Sequence, residues 1–139
     1  MAKLPDWMYR QSAVVPCRDG GNGLEVLLIT SRKGTRWVLP KGVVEPGMTP
    51  ADSAAKEAEE EAGIQGPVDP TPLGTYRYDK WGGTCTVEVF LMWVAREMTH
   101  WPEAGTRQRE WMTPKEARER VREEELKTIL VGLEKWIER

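Results

Sequence analysis

The segment from Thr49 to Gly63 restricts this chain more than any other stretch. Thr49-Pro50-Ala51-Asp52 offers a capping hydroxyl, a proline at the first helical position and an acid in the first turn, and Gly63 offers a helix stop. The spacing predicts a helix from Pro50 to about Ala62. Its winding brings Ala51, Ala54, Ala55, Ala58 and Ala62 into a stripe of small side chains, which lets a helix lie close against a sheet. Glu57, Glu60 and Glu61 share an adjoining face, whereas Glu59 points elsewhere. The rest of the chain must therefore supply a sheet for the alanines and a partner for three clustered carboxylates.

Strand signals stand on both sides of that helix. Ser12 to Cys17 and Leu24 to Thr30 are apolar, β-branched runs separated by Asp19-Gly20-Gly21-Asn22-Gly23, a hairpin pattern. Trp37-Val38-Leu39 reads as a short third strand closed by Pro40, after which Lys41-Gly42 opens a loop reaching Gly47. Beyond the helix, Leu73 to Lys80 and Thr84 to Ala95 form a second hairpin around Gly82-Gly83, with the more apolar strand expected in the sheet interior. Gln108 to Met112 is a candidate further strand. Thr113-Pro114 repeats the cap-plus-proline signal. Ala117, Val121, Leu126, Ile129, Leu130, Leu133 and Ile137 then recur at helical spacing, predicting one or two amphipathic helices. The expected architecture is α/β in the α+β sense, a mixed sheet between helices.

A length of 139 residues is that of one domain, spanning residues 1–139, with no repeat or low-complexity tract. Twenty Lys and Arg against 22 Asp and Glu leave a net charge of −2, which argues against a nucleic-acid polymer as partner. The longest apolar run, Val89 to Ala95, is too short to span a membrane, and Met1 to Gln11 lacks the apolar core of a signal peptide, so a cytoplasmic location is expected. Cys17 and Cys85 have no second Cys or His at metal-ligand spacing and read as buried thiols. His100, the only histidine, has no neighbours suited to triad or zinc chemistry.

Like charges at i,i+3 and i,i+4 repel, so Glu57, Glu60 and Glu61 need compensation once they lie partly against a sheet. Hard Mg²⁺ suits them, because it prefers carboxylate oxygens and tolerates incomplete protein ligation. A bare Glu-x-x-Glu-Glu equally fits a solvated acidic face. Its surroundings carry more: GVVEPGMTPADSAAKEAEEEAGI, from Gly42 to Ile64, resembles the Nudix box, matching it at Gly42, Glu57, Ala58, Glu60, Glu61, Gly63 and Ile64. The resemblance implies an α-β-α sandwich of the Nudix type and a Mg²⁺-dependent hydrolase of phosphoanhydrides, with Mn²⁺ as a possible substitute. By it, Glu57 and Glu61 are metal ligands, Glu60 is a ligand or the base that activates water, and the Lys41 backbone carbonyl completes the shell.

Two positions depart from the box. Met48 stands where the family has Glu and Lys56 where it has Arg. An apolar contact between Met48 and the Lys56 stem is expected to replace the lost ion pair.

Arg32, Lys33, Arg36 and Lys41 precede the acidic helix, and Arg77, Lys80, Arg107 and Arg109 follow it, grouped as a clamp for a polyanion would be. Thr30-Ser31-Arg32 through Arg36-Trp37, Pro40-Lys41-Gly42, and Trp101 followed by Arg107-x-Arg109-Glu110-Trp111 resemble the diphosphoinositol polyphosphate phosphohydrolase group, whose members also cleave diadenosine polyphosphates. That resemblance implies substrate contacts at Arg10, Arg32, Arg36, Lys41, Arg107 and Lys127, and a polyphosphorylated small molecule as substrate. An aromatic residue among Tyr76, Tyr78 and Trp81 resembles a base-stacking position, with strand packing the competing reading for either tyrosine. Glu88 alternates with Thr86, Phe90 and Met92 and is either an extra ligand or base at the metal site, or a solvated edge residue. The alternatives to this hydrolase are a Nudix-fold sensor without turnover and a hydrolase of ADP-ribose or nucleoside triphosphates.

Overall fold

The computed structural model describes residues 3–138. A short 3₁₀ turn (Asp6–Tyr9) leads into β1 (Arg10–Asp19), which pairs antiparallel with β2 (Leu24–Thr30), Cys17 standing opposite Val26. Between them the chain reverses through Gly21 and Gly23, both at positive φ. β3 (Trp37–Val38) joins the outer edge of β2, and β4 (Lys41–Val43) returns to β1 with Gly42 opposite Ser12. The sequence pattern places Lys41 and Gly42 in a loop. They are extended instead, because the Val14 N–H donates to the Pro40 carbonyl and the Val44 N–H to the Arg10 carbonyl. Pairing with β1 overrides the weak strand propensity of Lys-Gly.

Helix α1 (Pro50–Ala62) has the expected bounds. Thr49 Oγ1 accepts from the Asp52 N–H at 3.1 Å, and Gly63 ends the helix in the left-handed region at φ 66°. β5 (Ile64–Gln65) follows, then the hairpin β6 (Gly74–Lys80) and β7 (Gly83–Trp93), with Tyr78 opposite Cys85. β8 (Arg96–Glu97) pairs with β5 in a separate two-stranded ribbon, and β9 (Arg109–Met112) pairs with β2.

The chain closes with three short helices rather than one or two: α2 (Pro114–Arg120), α3 (Glu124–Val131) and α4 (Leu133–Glu138). Thr113 and Glu116 form a reciprocal capping box on α2, whose end at Val121 is extended, and Gly132 separates α3 from α4. Periodicity registers the shared apolar stripe but not these breaks.

The main sheet runs β3-β2-β1-β7-β6, with β4 on β1 and β9 on β2. β1 and β7 are parallel neighbours, so the most apolar strand does lie in the interior, between β1 and β6. Alternation on β1 divides the core. Ala13, Val15 and Cys17 face Leu126, Leu130 and Leu133 of the C-terminal helices, while Val14 joins Ala54, Ala58, Ala62 and Phe90 beneath α1. Both cysteines are free and buried, and burial pushes the Cys17 thiol up to about 12. Among the described residues no helix is long and apolar enough to cross a membrane.

Candidate active site

The alanine stripe holds α1 so close to the sheet that its carboxylates meet the backbone of β4. A Cβ at Gly42 would fall on the Glu57 carboxylate, and the Lys41 N–H donates to Glu61 Oε1 at 3.2 Å. Glu61 is 7% exposed and hydrogen-bonded through its side chain to Glu57. Burial first, then that bond to Glu57, pushes the Glu61 carboxyl up to about 8; burial likewise raises Glu57. Both carboxyl groups therefore hold their protons more tightly than free carboxyls do.

Glu60 lies at the exposed edge of this face, with Lys56 Nζ at 4.0 Å. Lys56 also reaches Glu45 Oε1 at 3.6 Å. The ion pair that the box forms with an acid at position 48 is thus made with an acid three residues earlier. Lys56 thus has charged partners of its own, where the sequence led only to an apolar contact with Met48.

The last turn of α1 is clamped from outside. Trp101 Nε1 donates to the Glu61 carbonyl at 3.0 Å, and Arg109 NH1 donates to the Ala62 and Gly63 carbonyls at 2.8 and 3.3 Å. Arg109 NH2 reaches the Met98 carbonyl at 2.7 Å, and its guanidinium lies 4.0 Å from the Trp101 ring centroid. Arg109, grouped with the phosphate clamp by its charge, is a helix-capping residue.

A cleft of about 470 Å³ opens beside Glu61 and is lined in part by Arg32, Arg36, Lys41, Lys80 and Arg107. The structure thus brings together four of the six expected substrate contacts: Arg32, Arg36, Lys41 and Arg107. Arg10, exposed at the start of β1, and Lys127, half-buried on α3, are not among its lining residues. Arg77 is held at 2.7 Å by Glu125. Glu88 sits on the α1 side of the sheet, as alternation requires, but lines a different cavity with Asp52, Ala55 and Phe90.

The basic residues of the cleft differ in freedom. Arg32 is 77% exposed, while Arg107 is only 8% exposed and bonded to Glu103 Oε1 at 2.9 Å and the Thr30 carbonyl at 3.0 Å, with Glu61 at 3.9 Å. Lys41 Nζ reaches Tyr78 Oη at 2.8 Å and Gln11 Oε1 at 3.3 Å, and burial followed by Lys80 lowers its pKa. Tyr76 is core. Trp81 lines the cleft at the hairpin tip with φ 56°, its carbonyl accepting a short hydrogen bond of 2.5 Å from Tyr9 Oη.

Three contributors escaped the sequence pattern. Glu103 joins Arg107 and Arg32 and its N–H donates to the Glu60 carbonyl, tying the loop before β9 to α1. Its i,i+4 spacing to Arg107 was the available signal. Gln11 and Glu123 also line the cleft; Glu123 opens a run of three glutamates that reads as solvated helix surface.

A comparison with family descriptions matches residues 8–130 to the NUDIX domain. Nudix hydrolase 16, mitochondrial, of Arabidopsis thaliana is 36% identical over 127 residues, covering 85% of this chain and 70% of the relative. Two further plant relatives are spanned over only 59% and 60% of their lengths. Diphosphoinositol polyphosphate phosphohydrolase 3-alpha of Mus musculus is 30% identical over 112 residues, covering 78% of this chain and 67% of the relative. Among solved structures, a binary complex of a C. elegans Ap4A hydrolase superimposes with a TM-score of 0.79 at 22% identity, covering 92% of this chain and 96% of that one, which shows a shared fold.

Proposed function

This chain belongs to the Nudix family, and from that premise we propose that it hydrolyses a phosphoanhydride bond in a polyphosphorylated small molecule, nucleoside-linked as in diadenosine polyphosphates or inositol-linked as in diphosphoinositol polyphosphates. One observation carries the reading: the Glu57 and Glu61 carboxylates meet the Lys41-Gly42 backbone at the wall of a cleft rich in cationic side chains.

Glu57, Glu60, Glu61 and the Lys41 carbonyl would hold a divalent cation, Mg²⁺ or Mn²⁺. Their all-oxygen chemistry fits, and the burial that disfavours the charged forms of Glu57 and Glu61 marks a place where a cation would relieve repulsion. Among the described residues no three acidic, histidine or cysteine side chains stand close enough to hold an ion by themselves, so waters and substrate oxygens would have to complete its shell. Such an ion, when bound, polarises a phosphoryl oxygen and acidifies a water.

The chain's own residues do the remaining work. Arg32 and Lys41 meet substrate phosphates, the first as a mobile fork and the second from a fixed seat on Tyr78 and Gln11. Arg107 holds the loop that carries Glu103 against the acidic helix. Glu60, whose side chain is 41% exposed, accepts the proton released by the attacking water.

A product-identified screen over diadenosine polyphosphates, inositol pyrophosphates, ADP-ribose and nucleoside triphosphates tests the reading, with Glu60→Gln and Glu61→Gln beside the wild type. Loss of ~10²–10⁴-fold in turnover with retained folding is expected. Unchanged hydrolysis in both variants would remove the assigned roles, and tight binding without turnover in Mg²⁺ and Mn²⁺ would make the protein a sensor.

A further inference from the structure

The cleft holds one acidic residue that the hydrolytic chemistry does not use. Glu123, immediately before α3, lines the cleft at 15% exposure and takes Arg36 NH2 at 2.6 Å. Arg36 would otherwise be the natural phosphate fork of this wall. With Glu123 in place the pair is neutral, and what it leaves unsatisfied is specific: Arg36 Nε and, on the neighbouring turn, Ser31 Oγ are both buried without a hydrogen-bond partner. Both residues line the same cleft.

This wall therefore offers two unused polar atoms beside a carboxylate that accepts. A phosphate brings only acceptors and negative charge, so it accepts from Arg36 Nε and the Ser31 hydroxyl but faces Glu123 with repulsion. A sugar hydroxyl or an amino-bearing base edge brings donor and acceptor together and satisfies both. Trp81 lends an aromatic surface to the same cleft.

Resting on the hydrolase reading above, we propose that Glu123, paired with Arg36, selects the head group, favouring a nucleoside-capped polyphosphate over an inositol ring with phosphates all round. Glu123 is a specificity residue. It acts by refusing phosphate beside Arg36, while Arg32 and Lys41, which line the same cleft, receive it.

The test is calorimetric binding of non-cleavable, methylene-bridged analogues of diadenosine tetraphosphate and of a diphosphoinositol polyphosphate, at matched ionic strength, to wild type, Glu123→Gln and Glu123→Ser. The wild type is expected to prefer the nucleoside ligand at least tenfold, and both variants to move the affinity ratio at least tenfold towards the inositol ligand. The kcat/KM ratio for the cleavable compounds should move alike. A ratio unchanged within twofold in folded variants overturns the inference. Should neither variant fold, equal or reversed preference in the wild type overturns it. Selective binding without turnover sinks the hydrolase reading and leaves the selection standing, whereas no binding of either ligand sinks both.

Discussion

Arg109 stacks on Trp101 at 4.0 Å, and the two side chains together close the carbonyl end of the helix that carries Glu61. The last turn of a helix has carbonyls without partners, and here three of them, from Glu61, Ala62 and Gly63, accept from indole and guanidinium donors. The orientation of the turn that carries Glu61 is thus set from outside the helix.

Arg109→Ala should destabilise the fold by ~2–4 kcal/mol in urea titration, from lost charged hydrogen bonds and the cation–π contact. Arg109→Lys should recover little of it, since an ammonium cannot span the Ala62, Gly63 and Met98 carbonyls at once. Full stability in Arg109→Ala would show that the contacts are incidental.

The raised Glu61 carboxyl gives the cation-free protein an inverted pH response. The folded Glu61 carboxyl, at about 8, lies above its ordinary 4.5, so the native state binds more protons than the unfolded state between those values. Stability is therefore fully present below about pH 4.5 and falls, by up to ~1.4 kcal/mol per pH unit for one proton, as pH rises towards 8. Saturating Mg²⁺ should flatten the slope, because it takes the carboxylates ionised. Melting profiles across pH, with and without Mg²⁺, measure it; a flat metal-free profile contradicts the raised Glu61 carboxyl.

Gly42→Ala places a methyl against the Glu57 carboxylate, the far end of a flexible side chain, at a backbone conformation alanine tolerates. The fold should survive. Mn²⁺ affinity should drop ~10–100-fold, the loss typical of disturbed ligand support, as read by paramagnetic titration. Wild-type affinity would mean that Glu57 is not a ligand.

Lys56 pairs with Glu45 and Glu60 at an exposed surface, where such pairs contribute ~0.2–1 kcal/mol. Restoring the family's residues with Met48→Glu and Lys56→Arg together should change kcat/KM by less than ~5-fold. A gain of several orders of magnitude would show that the box is impaired as it stands.

The elements that announced themselves in the sequence were those with local causes. Thr49, Pro50 and Gly63 delimit α1 by chemistry within a few residues of each end, and Gly21 and Gly23 do the same for the first hairpin. Lys41 to Val43 gave no such signal, because what makes them a strand is β1, some thirty residues away. The same distinction explains the site. Glu57, Glu60 and Glu61 share a helix face that spacing alone reveals, whereas the duties of Arg107, Arg109 and Glu123 depend on which carbonyl or side chain the fold brings beside them. Charge type was legible; whether a charge is free to meet a ligand was not.

The division of the core by β1 has a consequence for how such a protein can change. The helix bearing Glu57, Glu60 and Glu61 rests on one face of the sheet, and the segment bearing Glu123 belongs to helices packed on the other. Mutational drift in the α2–α3 joint can retune what is admitted while the hydrolytic apparatus stays under separate packing constraints. A new diet need not disturb the teeth.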